Sequence, residues 1–175
     1  PRENLREWTR WSQSLPMKRS LCLSSILASL FILSANAESP KARLVEKGVS
    51  AFECSVAAAM APMAGHQESN RLFMLGYNSL VSFADALYSG EISEAEYDKY
   101  VTLHISLLLS KTQGDTSATF ATGRIYQHVL SYTSDRIFYA RNKTGGIDRD
   151  KPLNDEQIGE MANQLYSEAN CSLID

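Results

Sequence analysis

Residues 118–141, ATFATGRIYQHVLSYTSDRIFYAR, decide the fold class. Ile125, Val129, Tyr132 and Arg136 recur at spacings of three and four, the period of an amphipathic helix. At about 100° per residue, Arg124, His128 and Asp135 fall within a sector of about 40° on the other side. A helix over 118–141 is therefore expected, with an apolar stripe that carries one guanidinium and a polar ridge that carries a cation, an imidazole and a carboxylate.

Outward from this stretch the same period holds. There is no proline between Met63 and Lys151, and few stretches alternate as strands do. A first helix is expected over 42–61, with Val45, Val49, Phe52, Val56 and Met60 inward and Ala61-Pro62 as its end. A second is expected over 69–88, after a connection holding Gly65 and His66, and it stops at Ser89-Gly90. Ser93-Glu94-Ala95-Glu96 has the form of a capping box and opens a third, running to Lys111. Asp115 or Ser117 caps the fourth, and Asn154 or Asp155 caps a fifth that reaches Ala169. The polar stretch 142–152 reads as a long loop. The fold class expected is all-α, with about five helices in a small antiparallel bundle or array closed by one disulfide.

The front of the chain reads differently. Residues 1–16 precede Met17 and stand outside the fold argument as leader or added sequence. Met17-Lys18-Arg19-Ser20 is a short basic region, Leu21 to Ser34 an apolar run, and Ala35-Asn36-Ala37 a small-x-small site. That order predicts a signal peptide over 17–37, cleaved before Glu38, and a periplasmic or secreted location. The apolar run is shorter than the roughly 20 residues that span a hydrocarbon core, so no stable membrane span is expected after cleavage.

Residues 38–175 hold 12 Lys+Arg against 18 Asp+Glu, a net charge of −6. Nucleic acid is repelled by such a surface, and no nucleic-acid partner is expected. Two cysteines remain in this region, Cys54 and Cys171, and in an oxidising compartment they read as one disulfide.

Chemistry-bearing motifs are sparse. His66, His104 and His128 share no spacing of three or four, so no metal site is expected. Nucleophile elbows and phosphate-cradling glycine loops are absent, and no cofactor is expected. The ridge Arg124, His128 and Asp135 suits binding of a polar ligand or proton transfer, though spaced charges on a solvated face look the same. Arg136 on the apolar stripe has three readings: a rim residue with its head in water, a pair with Glu53, Asp85 or a carbonyl, or a ligand contact. Phe138 projects toward the polar side, where it anchors a partner or packs beneath the 142–152 segment.

Taken with the leader and Cys54, the pattern Gly114…Gly123-Arg124-Ile125-Tyr126 resembles uncharacterised small exported helical proteins of proteobacteria. The resemblance covers most of 38–175 and implies export and helical character, with no activity attached. A non-enzymatic periplasmic binding or interaction protein is the leading expectation, with a protein partner in the cell envelope and Arg124, His128, Asp135, Arg136 and Phe138 as its surface. A small cofactor-free hydrolase or lyase using the same helix is one alternative. The other is a carrier of a small apolar ligand, which needs a cavity lined by Phe52, Phe73, Phe83 and Leu108.

Overall fold

The computed structural model describes residues 39–110 and 117–175. The leader expected over 1–16, the signal peptide expected over 17–37 and the turn expected at 113–116, with Asp115 as a cap, lie outside the described residues.

Six α-helices and one β-hairpin make up the described fold: α1 (Leu44–Met60), α2 (Gly65–Tyr88), α3 (Glu94–Tyr100), α4 (Leu103–Leu109), α5 (Ala118–Phe138), β1 (Tyr139–Arg141), β2 (Ile147–Pro152) and α6 (Asp155–Glu168). A 3-10 turn at Cys171–Leu173 ends the chain. The protein is thus mostly helical, but with one more helix than expected and a small sheet.

Local signals explain most boundaries. Ala61, ahead of Pro62, is extended at φ −81° and ψ 117° and ends α1. α2 starts at Gly65, four residues ahead of the expected start, so His66 is helical. At its other end Gly90 takes φ +79°, and the N–H groups of Gly90 and Glu91 return to the carbonyls of Leu87 and Ala86. Ser93 and Glu96 form the capping box of α3, Ser117 caps α5, and Asn154 with Gln157 forms a second box at α6.

Two departures have clear causes. The single helix expected over 94–111 is two, because Val101 is extended and the Thr102 hydroxyl accepts from Ile105 N–H, capping α4. The expected loop 142–152 and the last residues of the 118–141 helix instead form the hairpin. Its β1 and β2 pair antiparallel, Arg141 opposite Ile147 and Ala140 opposite Asp148, with an irregularity between Tyr139 and Ala140. Asn142 organises its turn, its Oδ1 accepting from the N–H groups of Thr144 and Gly146 at 3.0 and 2.9 Å.

α1 packs against α2, α5 and α6, and α5 also packs against α2 and α4. One core holds Phe52, Leu80, Phe83, Ile105, Ile125 and Val129. A second, toward the C-terminus, holds Cys54, Leu72, Ile137, Leu165 and Cys171. The Cys54–Cys171 disulfide lies within it, with Cα atoms 5.4 Å apart, and joins α1 to the terminal turn. Beside it Glu68 accepts from Arg71 Nε at 2.8 Å and from the Tyr166 hydroxyl at 3.0 Å, and Arg71 reaches the Ile174 carbonyl. Those bonds tie α2 to α6 and the tail, and the bond from Arg71 holds the Glu68 carboxyl below its usual range.

Candidate functional site

The side chains of the polar ridge on α5 go to different partners. Arg124 turns back to the end of α4, where it donates to the carbonyls of Ser110 and Leu107 at 3.3 Å each. Asp135 pairs with Arg149 on β2, so its carboxylate serves the hairpin. Phe138 is half-buried, and its carbonyl accepts from Leu153 N–H at 2.8 Å. Only His128 is left facing open space.

That space is a groove of about 680 Å³ between α1, α4 and α5. Val45, Val49, Ile105 and Val129 give it an apolar floor. Glu46 and Glu53 line it from α1, Tyr100 from the end of α3 and Tyr132 from α5. His104 and His128 form one wall, with rings stacked at a centroid distance of 6.0 Å and 16° between planes. No spacing rule exposes this pair, because 24 residues and a helix junction separate its members. Two imidazoles alone are an incomplete ligand set, and no group of three or more His, Cys, Asp or Glu suited to a metal ion occurs among the described residues.

The aromatic residues named for an apolar-ligand cavity sit elsewhere. Phe52 and Phe83 are buried in the first core. Phe52 packs on Phe73 at 5.6 Å and on Tyr126 at 4.9 Å between centroids. These rings fill space with one another, as close-packed core residues do.

Arg136 lies beyond Tyr132, one turn along α5, with its guanidinium carbon 5.5 Å from the Tyr132 ring centroid, a cation–π distance. Its Nε is buried without a hydrogen-bond partner among the described residues, as is the Thr133 hydroxyl. An unmet buried polar group costs about 1–3 kcal/mol. Arg136 acts on the charge of Glu53, one of the acids considered as its partner. Burial is the larger effect on Glu53 and lifts its carboxyl above the usual range, while the guanidinium pulls it down. Arg136, Thr133 and Glu53 meet at a second, smaller cavity of about 240 Å³ against the end of α6. Glu53 lines both spaces.

No protein-family model matches the chain, and neither a curated protein nor a solved structure matches it.

Proposed function

We propose that this chain is a non-enzymatic binding protein of the cell envelope, and that the groove between α1, α4 and α5 holds a small organic cation with an apolar body. One observation carries the reading. The groove joins an apolar floor to two carboxylates, Glu46 and Glu53, while no Lys or Arg is among its lining residues. Its volume lies within the range of small-molecule sites. Export, a periplasmic or secreted location and kinship with small exported helical proteins belong to the same proposal, resting on residues 17–37, on Cys54 and on the Gly114…Gly123-Arg124-Ile125-Tyr126 pattern. So does the reading of α1, α2 and α5 as the centre of an antiparallel bundle.

The test is calorimetric titration of the oxidised protein with benzyltrimethylammonium, using benzoate and benzyl alcohol as matched controls. Saturable binding of the cation, weakened by Glu53→Gln and abolished by Ser50→Trp at an exposed lining position on α1, supports the reading. Equal binding of benzoate, or no binding of any of the three, overturns it.

A further inference from the structure

The two histidines of the groove wall have no part in holding a cation, yet the fold brings them together. His104 is the second residue of α4, placed there by the Thr102 cap, and His128 lies midway along α5. Both are exposed, and their rings stack 6.0 Å apart with 16° between planes. The seam between the helices is clasped one turn from each ring, where Arg124 donates to the carbonyls of Leu107 and Ser110. That clasp keeps the two rings side by side.

Histidine is the side chain whose ordinary charge change falls between pH 5 and 8. With both imidazoles neutral, the charge of the groove lining is that of Glu46 and Glu53. With both protonated, two cations stand in the same lining as the two carboxylates, and an organic cation is no longer favoured there. Tyr100 and Tyr132 are the other titratable side chains of the groove. Four further cations surround it. Arg124 lies one turn before His128, Arg136 packs over the Tyr132 ring, and Arg43 and Lys99 lie 5.9 and 4.9 Å from the centre of the Tyr100 ring. None of these offsets the charge that protonation adds. Glu53 acts in the same direction, since burial raises its carboxyl above the usual range and a fall in pH neutralises it early.

We propose that the His104–His128 pair is an acid-release switch for the groove: protonation of both rings sets two imidazolium ions against the bound organic cation and expels it. This rests on the groove as a cation site and adds the condition under which that site empties.

Calorimetric titration of the oxidised full chain with benzyltrimethylammonium at pH 8 and at pH 5.5 tests the switch. At the dielectric of water, a unit charge about 6 Å from the ligand costs roughly three-fold in affinity, so two cost about ten-fold. The parent is therefore expected to bind about ten-fold more weakly at pH 5.5. The double variant His104→Gln with His128→Gln is expected to lose the step, its two affinities agreeing within about two-fold. His66→Gln, on α2 and outside the groove, is the control and is expected to keep the full step. Glu53→Gln binds more weakly at both values and keeps the step, which separates the histidines from the carboxylate. Binding by the parent that is equal at the two values overturns the switch and leaves the cation site standing. A parent that binds at neither value sinks the cation site and the switch together. A step that survives in the double variant, or disappears in Glu53→Gln, takes the switch away from the histidines and overturns it.

Discussion

Gly48 and Gly76 face each other where α1 crosses α2, so closely that a Cβ on Gly76 lies 3.0 Å from the Gly48 carbonyl oxygen. A Cβ on Gly76 also falls 2.5 Å from Phe52 Cδ1, and one on Gly48 falls 2.5 Å from Leu80 Cγ. Neither neighbour is the free end of a flexible chain: both Phe52 and Leu80 are buried in the first core. The absence of two side chains is what lets α1 and α2 approach and sets the position of Val45, Val49 and Glu53 along one side of the groove.

Alanine at either position is expected to destabilise the fold. Overpacking costs about 1–3 kcal/mol, and the better helix propensity of alanine returns up to about 1. Gly123 on α5 is the control, since a Cβ there meets nothing within 4 Å. Gly123→Ala is expected to stabilise by about 0.5–1 kcal/mol. Urea unfolding of the three variants checks both signs, and a stabilising Gly76→Ala contradicts the close approach.

Glu53 is held in the fold at a cost that grows with pH. Its folded-state pKa is raised above 4.5, so the neutral form is favoured after folding, and stability is lost as pH rises through the unfolded value toward the folded one. Glu53→Gln is therefore expected to raise the melting temperature at neutral pH, with the gain shrinking toward zero at acid pH, where the parent carboxyl is also neutral. Melting curves between pH 3 and 8 measure this. A gain that grows on acidification reverses the sign and removes the argument. Because the same substitution is expected to weaken cation binding in the groove, a stability gain with an affinity loss marks a residue retained for binding.

The Cys54–Cys171 bridge closes a separation of 117 residues. In the chain-entropy picture a loop of this length contributes about 4–5 kcal/mol, as an upper figure. Reduction is expected to lower the urea midpoint markedly and to free the terminal turn, with Cys171 and Ile174, from the second core. Parallel unfolding curves with and without reductant, followed by hydrogen exchange in α6, distinguish global loss from local release. Unchanged curves remove the disulfide from the account of stability.

Much of the fold is readable along the chain because its signals act over three or four residues. The Ser93–Glu96 box, the caps at Ser117 and Asn154, and the stop at Gly90 each concern backbone groups adjacent to the side chain that satisfies them. Cys54 and Cys171 pair as their number in residues 38–175 implies. Other features arise only when distant segments meet. Thr102 competes locally with helix continuation, and that choice turns His104 toward His128 on another element. The 142–152 segment has the composition of a loop, yet its backbone is paired once Asn142 folds the turn back on itself. Arg124, His128 and Asp135 share a helical face, but Ser110, the groove and Arg149 draw them to three different tasks. Periodicity determined which side of each helix is apolar. Only tertiary packing decided which apolar sides close against each other and which leave a space, because that depends on close approaches such as Gly48 to Gly76 between residues remote in the chain.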